Sequence, residues 1–241
     1  VSAYRAQVRT ELALASRQGE QLLVSLGIPL LVLTFFSLVE VVPVPTADPV
    51  DYVAPATLAL AVVSTAMVSL GIGTGFDRQY GVLKRLGATP LGTGRWIAAK
   101  TTLVVLTELV QLVVLVGVAA ALGWRPPVAG WPAALAGLTL GTLAFAGIGL
   151  LLAGTLPGLV TLAVTNGIYL VLLLTGGVIV PVEELPGPLA TVSRLLPAAA
   201  LVEVTTESLV AGGSVGTWAW VTLTAWAVAA PLAAARCFRW E

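Results

Sequence analysis

Six stretches of this chain are each about as long and as apolar as a helix that crosses a bilayer. They are Leu22–Val39, Val53–Phe76, Ile97–Leu122, Trp131–Gly154, Leu159–Val180 and Val215–Ala235. A spanning helix needs about 20 mostly apolar residues. The fourth and fifth runs are separated only by Gly154-Thr155-Leu156-Pro157-Gly158. Together they cover about 50 residues, too long for one span at about 1.5 Å per residue, so a turn is expected there. The implied fold class is all-α: a polytopic membrane protein forming one transmembrane domain over residues 1–241. Composition agrees, with 58% hydrophobic residues, whereas a soluble domain carries about 45–50% on a broader count that includes glycine.

Charge orients the bundle. Six spans put both termini on one side. Placing them in the cytoplasm gathers Arg5, Arg9, Arg17, Arg78, Lys84, Arg85, Arg95, Lys100, Arg236 and Arg239 inside, and leaves only Arg125 and Arg194 outside. Most acids, including Glu40, Asp48, Asp51, Glu183, Glu184, Glu203 and Glu207, then lie outside. Lys and Arg beside membrane helices stay cytoplasmic. The expectation is a multi-pass protein of the inner (plasma) membrane with both termini cytoplasmic.

Residues 1–21 do not read as a signal peptide, being polar for too long and lacking a small-residue cleavage site. Tyr4, Val8 and Leu12 recur every four residues beside Arg5 and Arg9, which predicts an interfacial helix with its apolar face in lipid. Residues 181–213 hold two short amphipathic segments. Leu189, Val192, Leu195 and Leu196 mark the first, and Leu201, Val202, Thr205 and Leu209 the second. Pro197 separates them, because proline cannot continue a helix interior. Each is too short to span, so two re-entrant helices at the outer mouth are expected, with Arg194, Glu203 and Glu207 on a solvated rim. Tryptophans 124, 131, 218, 220 and 240 fall near span ends, as aromatic belts do.

Composition also removes chemistry. There is no histidine and one cysteine, Cys237. A histidine-based triad, a histidine-ligated metal, a CxxC pair and an internal disulfide are excluded. With net charge zero, a polyanion-binding surface for nucleic acid is not expected. A nucleotide-binding P-loop needs G-x-x-x-x-G-K-[ST]. The nearest approach, Gly87-Ala88-Thr89-Pro90-Leu91-Gly92, is followed by Thr93 where lysine should stand.

The stretch between the second and third runs is the densest in positive charge. It contains Arg78, Lys84, Arg85, Arg95 and Lys100 in a chain only 10% charged. Tyr80, Leu83 and Leu86 share one face of a short helix and Lys84 and Arg85 another, with Gly87 and Pro90 ending it. A short amphipathic helix can seat as a knob in the groove of a soluble partner. It can equally be a solvated basic loop with no partner.

This loop resembles the signature of type-2 permeases of ATP-binding-cassette (ABC) exporters, including the daunorubicin-resistance permeases. The matching residues are Arg78, Gly81, Leu83, Lys84, Arg85, Leu86, Thr89, Pro90, Leu91 and Lys100. Gln79 and Val82 depart from the usual glutamate and threonine. Gly176-Gly177, Pro181, Leu185-Pro186, Leu196-Pro197 and Glu203 also follow that family's spacing. The resemblance implies an elbow helix over 1–21, a cytoplasmic coupling loop over 77–96, and a homodimer or heterodimer in the lipid bilayer. It implies a separate P-loop ATPase subunit that holds the ATP and magnesium, this chain having no cofactor of its own. ATPase-coupling residues would be Arg78, Gln79, Tyr80, Gly81, Leu83, Lys84, Arg85, Leu86 and Pro90.

Glu108 is the one ionisable residue deep in a predicted span. Inserting a charge at a helix centre costs about 2.5–3.5 kcal/mol, so Glu108 must face the bundle or a wet cavity. It is either a site on a transport route or a structural hydrogen-bonding group beside Thr107 or Gln111. Gly176 and Gly177 are further pathway candidates. The expected function is export of a hydrophobic or amphipathic compound (drug, antibiotic or lipid-like), hence multidrug efflux. A non-transporting assembly factor and an ion-gradient carrier using Glu108 are the alternatives.

Overall fold

The computed structural model describes residues 3–17, 19–39, 46, 48–87 and 92–238. Glu40, Thr89, Pro90, Leu91, Arg239 and Trp240 lie outside the described residues. All regular structure among the described residues is helical. The elements are α1 (Ala3–Arg17), α2 (Gly19–Leu38), α3 (Pro49–Val62), α4 (Leu70–Gln79), α5 (Val82–Gly87), α6 (Gly92–Ala121), α7 (Trp131–Thr155), α8 (Gly158–Thr175), α9 (Gly187–Arg194), α10 (Pro197–Leu209) and α11 (Thr217–Cys237). A π-helical segment, Val63–Ser69, joins α3 to α4 in one continuous rod.

Among the described residues, five helices are long and apolar enough to cross a membrane: Pro49–Gln79, Gly94–Ala121, Val128–Thr155, Gly158–Thr175 and Thr217–Cys237. The first expected span is α2, of 20 residues, which carries the shorter apolar stretch Ser25–Leu38. The turn expected between the fourth and fifth spans falls at Leu156-Pro157, where Leu156 is extended. The fifth span ends at Thr175, five residues before the expected Val180. The chain is therefore an all-α polytopic membrane protein.

The rod Pro49–Gln79 is the pillar of the bundle. Its apolar stretch is 89% buried within the chain, against 22% for α6 and 28% for α8. Leucines and valines such as Val113, Leu159 and Leu174 are accordingly exposed on the periphery. In water, patches of this extent would drive association; in a bilayer, lipid covers them.

Glycines let α7 approach three neighbours. A methyl at Gly141 would lie 2.7 Å from Leu201 Cδ2 on α10, and one at Gly147 would lie 2.6 Å from the Ala230 carbonyl carbon on α11. A methyl at Gly149 would lie 2.7 Å from the Met67 carbonyl oxygen in the π-helical segment. Small residues permit such backbone contact where lipid supplies no hydrophobic force between helices. The Gly137/Gly141 pair therefore seats α10 of the same chain.

Residues 181–213 form the two short helices expected, bent 85° at their junction. Pro197 opens α10 at its first turn, and Trp226 Nε1–H donates to the Leu195 carbonyl at the bend, 2.9 Å. One expectation is corrected. Most of α10 is buried against α7, α3 and α11, so it is core structure. Glu203 is half-buried rather than on a solvated rim, and burial, reinforced by Glu207 and Glu183, raises its carboxyl above the usual range. The Arg194–Glu183 pair, at 3.7 Å and at least half exposed on both sides, contributes little.

The N-terminal helix, α1, docks on α6, and only part of its expected apolar stripe faces outward. Tyr4 and Val8 are half-buried, and the Tyr4 hydroxyl lies 2.8 Å from Thr102 Oγ1. Leu12 and Leu14 remain exposed.

Candidate functional site

One end of the bundle gathers the basic loop, the N-terminal helix and the C-terminal end of α11. The pillar ends at Gln79, and Gly81, at φ +69°, turns the chain into α5. A side chain is strained at that φ, so glycine suits the turn. Leu83 is 2% exposed and packs on Trp96, with Leu86 and Phe238 beside them. This places the start of α6 and the end of α11 against α5.

The expected apolar contact face therefore divides. Leu83 and Leu86 turn inward and brace α5 on its own chain. Tyr80 belongs to the turn before α5 and is 65% exposed, stacked on Phe76 with centroids 6.0 Å apart. Lys84 and Arg85 are exposed, with Arg85 Nη2 donating to the Tyr80 carbonyl at 3.3 Å. Arg78 reaches inward, its Nη1 donating to the Ala153 carbonyl at 3.0 Å. That carbonyl is in the last turn of α7, where backbone acceptors lack helical partners and a cation is favoured. Gln79 packs against Gly158 at the start of α8. The outward surface is thus Tyr80, Lys84 and Arg85, and Arg78, Gln79, Leu83 and Leu86 tie it to α6, α7, α8 and α11.

Beneath the loop lies a charge cluster that sequence reasoning missed. Lys100 Nζ is 2.9 Å from Glu11 Oε2 and 2.9 Å from Asp77 Oδ2. The Lys100 and Glu11 side chains are only 14% and 7% exposed. Gln7 Nε2 donates to the other Glu11 oxygen at 2.9 Å. One lysine thereby joins α1, the end of the pillar and the start of α6. The available signal was Glu11, an acid three residues beyond Val8 on an otherwise apolar stripe.

A second constellation lies within the spans. Thr142 Oγ1 on α7 is 2.8 Å from Glu108 Oε2, and Glu108 Oε1 is buried with no hydrogen-bond partner among the described residues. The expected partners are not used: Thr107 donates to the Leu103 carbonyl. Gln111, one turn on, accepts from Thr65 at 2.8 Å and donates to the Ser25 carbonyl at 3.1 Å. Gln111 is satisfied and fixes α2 to the π-helical segment and α6. Glu108 instead borders a cavity of about 330 Å³ between α3, α6 and α7.

Gly176 and Gly177 do not line that cavity. They are buried in the turn after α8. The Tyr52 hydroxyl donates to the Gly177 carbonyl at 2.5 Å, closing the other end of the pillar against α8. Among the described residues, no cluster of His, Cys, Asp or Glu could hold a metal ion.

Comparison with curated proteins returns no match to the chain. The family model described as "ABC-2 type transporter" matches residues 2–210, from the N-terminal helix through α10. That match covers the loop, the Lys100 cluster, the glycine-packed α7 and the bent pair α9 and α10 together. The chain belongs to the ABC-2 type transporter family and is a membrane transport subunit, itself not an ATPase, of the kind that works with an ATP-binding partner.

Proposed function

We propose that this chain is the permease of an exporter, paired with a second permease copy, identical or related, in the inner (plasma) membrane. It moves amphipathic or hydrophobic compounds, antibiotics and other drugs included, out of the cytoplasm or inner leaflet. A separate P-loop ATPase, carrying ATP and magnesium, docks from the cytoplasm on Tyr80, Lys84 and Arg85. Gly81 turns the chain into the moving knob, and Arg78, Gln79, Leu83 and Leu86 pass its displacement to the spans. The cargo route runs between the two copies along the exposed face of the fifth span, with Gly176 and Gly177 at its outer end and Glu108 on its entry side; the second span, buried within its own chain, braces that route from behind.

The observation that carries this reading is the braced knob. An exposed aromatic in the turn and two cations on α5 stand beside side chains of α4 and α5 that reach the ends of α6, α7, α8 and α11. A force on Tyr80 therefore has a rigid path into the bundle, as rigid-body coupling between two sites requires. A solvated loop has no need of that bracing.

The test is reconstitution with the ATPase in liposomes. Tyr80→Ala combined with Lys84→Glu should abolish ATP-dependent movement of a lipophilic dye and cargo-stimulated ATPase activity, while leaving the permease folded. Full transport by that variant, or by the permease with no ATPase present, overturns the proposal. In the latter case a carrier driven by an ion gradient through Glu108 takes its place.

A further inference from the structure

We infer that the cavity between α3, α6 and α7 is a binding site for a lipophilic amine, its ammonium group held by Glu108 and its hydrocarbon part by the surrounding leucines. The inference deepens the exporter reading by naming a cargo class. It rests on that reading for the movement of the amine once bound.

Glu108 is short of hydrogen-bond donors. Thr142 Oγ1 lies 2.8 Å from Glu108 Oε2 and 2.9 Å from the Leu138 carbonyl. A hydroxyl has one hydrogen to donate, so it cannot serve both acceptors. Glu108 Oε1 is buried with no partner at all among the described residues. The neighbouring polar groups give Oε1 no bond. Thr139 Oγ1 donates to the Leu135 carbonyl at 2.8 Å, and both ends of Gln111 are engaged elsewhere. A carboxyl group in hydrocarbon with this little support is expensive to keep, and such residues mark ligand or ion pathways.

The cavity's shape names the ligand. Its volume of about 330 Å³ is at the small end of the range for organic ligands. Apart from Glu108, Gln111 and three threonines, its walls are aliphatic. Val105, Leu109, Leu135 and Leu143 line it and are also exposed on the outer surface of the bundle. The mouth therefore opens sideways, where lipid would lie. A molecule already dissolved in the bilayer can enter without crossing water. An ammonium group supplies the donors that Oε1 lacks, and it pairs with a carboxylate in a water-poor site, where such charge-assisted bonds are strongest. A neutral alcohol of equal length offers one weaker bond. A metal ion is a poor fit, since the site presents one carboxylate and hydrated hard cations need several oxygen ligands.

Binding is measured on the purified permease in lipid nanodiscs, without the ATPase, using radiolabelled dodecylamine and, as its neutral match, dodecanol. Empty nanodiscs give the partitioning background. Dodecylamine should show saturable binding above background, and Glu108→Gln should weaken it about tenfold or more. Dodecanol should bind no differently to the two proteins. Thr139→Trp, at an exposed mouth position where folding is not at stake, should block dodecylamine by filling the cavity. Equal dodecylamine affinity in the wild type and Glu108→Gln overturns the inference, as does undiminished binding in Thr139→Trp. The two readings fail separately. Amine binding without any ATP-driven transport in the complete complex retains the site and defeats the exporter reading. ATP-driven dye transport without amine binding does the reverse.

Discussion

Lys100→Met should be among the most damaging substitutions outside the apolar core. It removes the cation that lies 2.9 Å from both Glu11 and Asp77. Glu11, 7% exposed, then keeps the amide of Gln7 as a donor. Removing one partner from a buried ion pair costs about 3–5 kcal/mol, because a desolvated charge is left behind. Asp77 is 29% exposed, so water recovers much of its loss and the larger share comes from Glu11. Replacing the whole cluster with neutral groups of similar shape is close to neutral by comparison. The triple variant Glu11→Gln, Asp77→Asn, Lys100→Met should therefore regain most of what Lys100→Met loses. Thermal unfolding in a mild detergent, followed for the single, double and triple variants, measures the coupling directly. Lys84→Met, an exposed cation on the same loop, is the control and should change little. If Lys100→Met proves as mild as Lys84→Met, or the triple variant is worse than the single, the cluster is not holding these helices together.

Gly147→Ala should destabilise by about 1–3 kcal/mol, because a methyl there meets the Ala230 and Pro231 backbone and overpacking of that kind has no flexible side chain to absorb it. Gly167→Ala, with nothing within 4 Å, should be neutral or slightly stabilising in the same melt. Leu83→Ala should lower stability by about 2 kcal/mol through loss of the Trp96 contact, whereas Tyr80→Ala should leave the melting temperature unchanged and show its effect only in ATPase coupling. Cys237 is exposed, and as the chain's single cysteine it gives a clean topology assay. A membrane-impermeant maleimide should label it in inside-out vesicles and not in intact cells, and the opposite pattern reverses the proposed orientation.

Much of the architecture was legible because a bilayer imposes a one-dimensional rule. Runs of about 20 apolar residues become helices wherever they occur, and Pro157 and Pro197 mark breaks through local backbone chemistry alone. The positions of close helix contact were legible too, in Gly137 and Gly141, but their partner was not. Leu201 and Val204 on α10 lie far along the chain, and nothing in the local sequence names them. The same holds for the charge cluster. Glu11 and Lys100 are 89 residues apart, so no local pattern pairs them, and Lys100 read only as one more cation of the basic loop. Leu83 was recognised as one face of a helix, yet a six-residue helix has no means of announcing whether that face meets a partner or its own chain. Trp96 decides it. Glu108 stood out because a carboxyl in a span is costly, but its partner Thr142 is on another helix, 34 residues on.

The central claim is that the Tyr80 knob receives mechanical work from a nucleotide-burning subunit in the cytoplasm. The most direct measurement places a photo-crosslinking amino acid at position 80 in cells expressing the permease with its partner ATPase. Irradiation should join the permease to that ATPase, and the yield should change between ATP-bound and nucleotide-free states. Modification of position 80 by an impermeant reagent from outside the cell, or undiminished transport in cells lacking every such ATPase, would contradict the account.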